Sequence, residues 1–155
     1  MSLKSLITEI WRNGLFVAYD EPAFHGAGAY AAFAITGGPV WIRAFVEYNS
    51  TAKAGATTTF VTVGVIGLDS GALAIGAAAI NTMVVSPLNA AVAKLAVPAL
   101  AVQMPSLLGF VTNIGVVAAP GVNITVTFGG AAMGALETTS YYVVYQKLAP
   151  QSLIA

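Results

Sequence analysis

AITGGPVWIRAFVEYNST, residues 34–51, decides how this chain is read. A Gly-Gly-Pro turn launches an extended run, and side chains alternate across a strand with a period of two. Trp41, Arg43, Phe45 and Glu47 then fall on one side, and Val40, Ile42, Ala44, Val46 and Tyr48 on the other. Both sides are largely apolar, so both need cover. The expectation is that Val40, Ile42, Ala44 and Val46 face the protomer's own core. Trp41, Arg43, Phe45 and Glu47, which mix apolar area with charges of both signs, form a face for a neighbouring subunit.

The surrounding composition supports that reading. Hydrophobic residues make up 57% of the 155 positions and charged residues 8%, against about 25% charged in ordinary soluble domains. Six basic and six acidic side chains leave no net charge, so no electrostatic footprint points to nucleic acid or anionic lipid. A chain this poor in charge is expected to bury much of its outer surface against other chains, or against lipid. Cysteine is absent, which removes disulfides, thiolate metal sites and thiol catalysis together. The length fits one domain with one core.

The N-terminus reads differently from the rest. Leu3, Leu6, Ile7, Ile10 and Trp11 recur at helical spacing, with Lys4, Glu9 and Arg12 opposite. The same charges interrupt any apolar core of a secretory signal. Residues 1–14 are therefore expected to be a short amphipathic arm, too short to be stable alone, whose apolar stripe docks either on its own domain or, as a partner-binding arm, on a neighbouring subunit. Residues 15–155 form a single β domain.

Strand signals recur along that domain. LFVAYD (15–20) and TTTFVTVGVIG (57–67) read as strands, while Pro22, Gly26 and Gly28 make the segment before Ile35 irregular or an edge. In VNITVTF (122–128), Val122, Ile124, Val126 and Phe128 oppose Asn123, Thr125 and Thr127. In TSYYVVYQKLA (139–149), Tyr141, Val143 and Tyr145 share one face. Between them, residues 72–105 are Ala-rich, interrupted by Gly76, Pro87 and Pro98, and read as short strands and loops. Long charge-free stretches flank Lys94, but prolines and asparagines punctuate them, so spanning helices and a membrane partner are not expected. Six to eight strands between Gly/Pro turns give an all-β sandwich or barrel, and a jelly roll fits the length.

Chemistry is sparse. His25 is the single histidine, and Asp20 and Glu21 beside it in DEPAFH read as a solvated turn rather than a metal site. Glycosidase chemistry needs two positioned carboxylates, and the six acids are scattered. The glycines of GGP, GAGA and GGAAMG lack the Lys or downstream acid of a phosphate loop and read as turns. Asn49-Ser50-Thr51 and Asn123-Ile124-Thr125 match the glycosylation pattern without a secretion signal beside them. Neither catalysis, nor a cofactor, nor a bound metal is expected.

Three stretches carry a resemblance: residues 36–40 (TGGPV), 120–128 (PGVNITVTF) and 142–150 (YVVYQKLAP). A short arm, a Gly-Gly-Pro turn into a long strand, an Ala/Val/Thr-rich middle and a closing tyrosine-rich strand resemble small tailed-phage virion proteins. The style is that of decoration, or cement, proteins, from which this chain departs in the extent of its Ala-rich middle. The resemblance implies a jelly-roll-like homotrimer on the capsid surface of the virion, made in the host cytoplasm. It implies the major capsid protein as partner and an arm that reaches a neighbouring capsomer. The alternative is a tail or head-fibre component with a carbohydrate-binding face, on which exposed Trp or Tyr would stand beside polar groups.

Overall fold

The computed structural model of the chain describes residues 14–20, 28–51, 57–70, 82–91, 95–97, 115–130 and 138–155. The arm residues Leu3, Leu6, Ile7, Ile10 and Trp11, the boundary drawn at residue 14, and His25 with Glu21 lie outside or at the limit of that set. Within it, all regular structure is β. The strands are β1 (Leu15–Asp20), β2 (Gly28–Thr36), β3 (Val40–Asn49), β4 (Thr57–Val63), β5 (Ile66–Gly67) and β6 (Met83–Ser86). They continue as β7 (Leu95–Val97), β8 (Val116–Ala118), β9 (Asn123–Gly130), β10 (Thr139–Lys147) and β11 (Leu153–Ile154).

They form an all-β sandwich of two antiparallel sheets. One runs β1-β10-β3-β6-β7, with β8 also beside β3, and the other β11-β2-β9-β4-β5. The principal pairings are nested: β1 with β10, β2 with β9, β3 with β6 and β4 with β5. The chain is thus laid out as one long hairpin, folded over so that β1 to β4 alternate between the sheets. Residues from both sheets close the core, among them Ile42, Phe45 and Val143 from one and Ile35, Val61 and Val126 from the other. Each such side chain contributes roughly 1.5–3 kcal/mol by leaving water.

The Gly-Gly-Pro corner is where the chain crosses from β2 in one sheet to β3 in the other. Gly37 has φ +72°, in the left-handed region, and a Cβ there would run into the backbone carbonyl of Gln151. Ser152 seals the same corner: its hydroxyl donates to the Pro39 carbonyl at 2.7 Å, and Ala155 exchanges backbone hydrogen bonds with Ala34. The C-terminal residues therefore pack where the decisive stretch begins. Gly37→Ala is expected to lower stability by about 1–3 kcal/mol through strained backbone and displacement of β11, and urea unfolding measures it.

Several sequence expectations are corrected in detail. Residues 57–67 are a hairpin rather than one strand: Val63 pairs Ile66 across a Gly64-Val65 turn, with positive φ at Gly64 alone, as a II′ turn requires. Gly28–Thr36 is one continuous strand that β9 pairs from Gly28 to Ala34, but it is irregular as expected, with Ala32 an extra residue between Ala31 and Phe33. The largest correction concerns β3. Val144 pairs Ala44 but Tyr145 pairs Ile42, leaving Arg43 as an extra residue, a β-bulge. A one-residue insertion moves every following side chain to the opposite face. Val40, Ile42, Phe45, Glu47 and Asn49 are consequently all buried, whereas Ala44 and Val46 are not. The expectation that Phe45 and Glu47 share an outer face with Trp41 and Arg43 is therefore wrong, as is the inward placing of Ala44 and Val46.

The bulge has a clear position. On the edge of β3 away from β10, β8 pairs Val40–Ile42 and β6 pairs Phe45–Tyr48. Arg43 sits at the junction between these two neighbours. Its exposed guanidinium lies 4.1 Å from the Trp41 ring centroid, so the bulged residue is held by a cation–π contact rather than by a partner strand.

Candidate functional site

The two outward faces of the sandwich differ sharply. On the five-stranded sheet they follow the usual rule for an antiparallel sheet with one solvated side. Ala29, Thr127 and Phe60 lie in one row across that face, and Ala31, Thr125 and Thr62 in the next. Small and hydroxylated side chains predominate.

On the six-stranded sheet the rule is broken. Tyr19, Tyr142, Val46 and Val85 form one continuous row across β1, β10, β3 and β6. Val17, Val144 and Ala44 form the next, and Gln146, Trp41 and Val117 a third. Val17 is 54% exposed, Tyr19 47% and Val117 61%. The Tyr19 and Tyr142 rings meet at 4.8 Å between centroids, and the Tyr19 hydroxyl lies 3.4 Å from Ser140 Oγ. Arg43 is the one charged side chain on this face among the described residues. A contiguous outward surface of Val, Tyr and Trp is unusual for a chain that meets only water.

Of the sequence-derived interface residues, Trp41 and Arg43 stand on this face; Phe45 and Glu47 do not. Sequence reasoning missed Val17, Tyr19, Tyr142, Val144, Val46 and Val117. The signal was present in SYYVVY (140–145), where no residue class alternates and both faces of β10 must therefore be apolar.

The interior holds a second pattern. Glu47 on β3 is fully buried, and the Thr59 hydroxyl on β4 donates to it, 2.8 Å from Oε2 and 2.9 Å from Oε1. Ser86 on β6 donates to buried Asp69 at 3.0 Å. Tyr30 on β2 donates to Asp20 on β1 at 2.6 Å. In each case a carboxylate accepts a hydroxyl: Glu47–Thr59 and Asp20–Tyr30 join strands of opposite sheets, and Asp69, just after β5, ties that bend to β6. Among the described residues, no three His, Cys, Asp or Glu side chains gather as metal ligands would.

Tyr141 and Asn49 complete this polar end of the core. Both are fully buried, and the Tyr141 hydroxyl and Asn49 Nδ2 have no hydrogen-bond partner. Burial, then the charge of Glu47, pushes the Tyr141 phenol well above its ordinary value. Tyr30 is pushed up to about 12, by burial first and then by the Asp20 hydrogen bond and charge. The folded state thus holds both phenols neutral, whereas the unfolded chain ionises near pH 10. Their contribution is complete below that value and is lost as pH rises through the folded values, so cooperative alkaline unfolding is expected above pH 10. Tyr141→Phe removes an unpaired buried hydroxyl and should raise stability at pH 7 by about 1 kcal/mol. It should also move the alkaline midpoint upward, as read by circular dichroism.

Comparison with known proteins brings no match, whether to a family model, to a curated protein or to a solved structure. No helix among the described residues is long and apolar enough to cross a membrane.

Proposed function

We propose that this chain is a structural virion protein that trimerises on a capsid surface and cements neighbouring major capsid subunits, with no catalysis. The observation that carries the reading is the contrast between the outward faces: Ala/Thr on one sheet, Val/Tyr/Trp on the other. A cement subunit needs contact area rather than a reactive group, and obligate interfaces are large and apolar. The scarcity of charge, 8% of residues, and the resemblance of residues 36–40, 120–128 and 142–150 to phage virion proteins support the same reading. So does the nested pairing, since β1-β10-β3-β6 over β2-β9-β4-β5 is the order of a long hairpin rolled into a jelly roll. Its location would be the outer capsid of a virion, after synthesis in the host cytoplasm, with neither nucleic acid nor membrane as partner. Native mass spectrometry without detergent tests the reading. A species of three times the 15.8 kDa chain mass is expected, and a stable monomer at micromolar concentration would overturn it.

A second reading, a tail or head-fibre component with a carbohydrate-binding face, draws on Tyr19 and Tyr142 beside the Ser140 hydroxyl. Aromatic area next to polar groups is what a sugar ring stacks on. Binding to a glycan array that is lost in Tyr19→Ala would favour it over the cement reading.

A further inference from the structure

We infer that the outward face of the six-stranded sheet is a homotypic interface, covered by a second copy of this chain. The inference rests on the assembly reading above and names the partner of that face. Its size argues for a copy rather than an arm. The strands of this sheet, β1, β10, β3, β6, β7 and β8, have 6, 9, 10, 4, 3 and 3 residues, which at about 4.8 Å by roughly 3.4 Å per residue give a face on the order of 600 Å² before side-chain relief is added. That approaches the roughly 800 Å² that each partner contributes to a standard stable interface. An eleven-residue helix covers only about 160 Å², being roughly 16 Å long and 10 Å wide. A helix of the length the sequence predicts for residues 2–12 would shield no more than a minor part of the face.

Charge allows self-association. Arg43 is the one charged side chain on the face among its described residues, and its guanidinium already rests on Trp41. Two copies can meet there without opposing rows of like charge. In a three-fold ring, the β1 side of one copy, with Val17 and Tyr19, would meet the β3–β8 side of the next, with Trp41 and Val117. Such a heterologous contact closes when the rotation is 120°.

The test is native mass spectrometry and sedimentation of the full chain with Val17→Arg, Val144→Arg and, on the other sheet's outward face, Thr125→Arg. Folding is checked by circular dichroism. Wild type and Thr125→Arg are expected to stay assembled, while both arginine variants of the apolar face fall to monomer, their dissociation constants raised at least 100-fold. Val17 is half-exposed, so Val17→Arg decides the matter if Val144→Arg does not fold. Assembly that survives Val17→Arg in a folded protein overturns this interface and leaves the cement reading standing. So does assembly that is lost only when residues 2–12 are deleted. A wild-type dimer dissolved by Val17→Arg upholds the interface and overturns the trimer. A wild-type monomer overturns both.

Discussion

Phe45→Ala is expected to lower the free energy of unfolding by about 3–5 kcal/mol, the cost of removing a fully buried aromatic ring and leaving a cavity. Phe45 is 0% exposed, and its ring stacks on that of Tyr141, 5.9 Å between centroids and 29° apart in plane. The neighbouring substitution gives the contrast. Val46 points outward, so Val46→Ala should cost well under half as much in the isolated protomer. Had the strand alternated without interruption from Trp41, the two residues would exchange roles and so would the two costs. Urea denaturation of both variants at one protein concentration therefore reads the phase of β3 directly. A fixed concentration matters because association adds to apparent stability by mass action.

That phase marks where the sequence stops being legible. In β9, Ile124, Val126 and Phe128 alternate with Thr125 and Thr127, and in β10, Tyr141, Val143 and Tyr145 share the inner face, as the period of two predicts. Nothing local distinguishes the bulge at Arg43 from an ordinary strand position. It coincides with the point where β8 and β6 divide the edge of β3 away from β10 between them, pairing partners more than thirty residues distant in the chain. Gly64 carried a readable turn signal inside a run whose valines and threonines favour continued strand. The nested pairing of β1 with β10 and β2 with β9 is set by long-range contacts that no window of sequence contains. Uninterrupted alternation from Trp41 places Glu47 on the outer, subunit-facing side, whereas it is fully buried. The hydroxyl that makes its burial tolerable comes from Thr59 in the opposite sheet, and twelve residues of separation hide that pairing. The outward face is the opposite case. The unbroken apolar run SYYVVY in β10 carries the signal of two apolar faces, whereas the reading from β3 exchanged Phe45 and Glu47 for Ala44 and Val46 and passed over Val17, Tyr19, Tyr142, Val144 and Val117.

Thr59→Val is expected to cost about 1.5–3 kcal/mol, although it preserves volume and adds no strain. It removes a charge-assisted hydrogen bond to a carboxylate in the interior. Thr59→Ser keeps the hydroxyl and loses one methyl group, so it should cost less than 1 kcal/mol or thereabouts. If packing alone held this position, the order would be reversed, and denaturant titration of the two variants separates the cases. The double variant Glu47→Leu/Thr59→Val carries the argument further. Replacing both members of a buried polar pair by apolar groups of similar shape is often close to neutral, so the double variant should be markedly more stable than the sum of its single changes. A strongly negative coupling of this kind would mean that the bond contributes little net stability. Its role would then lie in registration. With Asp20–Tyr30 it gives two hydroxyl–carboxylate ties between strands of opposite sheets, and Asp69–Ser86 adds a third from the bend after β5 to β6. An apolar core of Val, Ile and Phe tolerates sliding of one sheet over the other, whereas these ties fix a single arrangement. A fixed arrangement is what a subunit presenting one sheet face to its neighbours requires. The double variant should therefore keep its stability while losing sharpness in its side-chain NMR signals, and unchanged chemical-shift dispersion would count against a registering role.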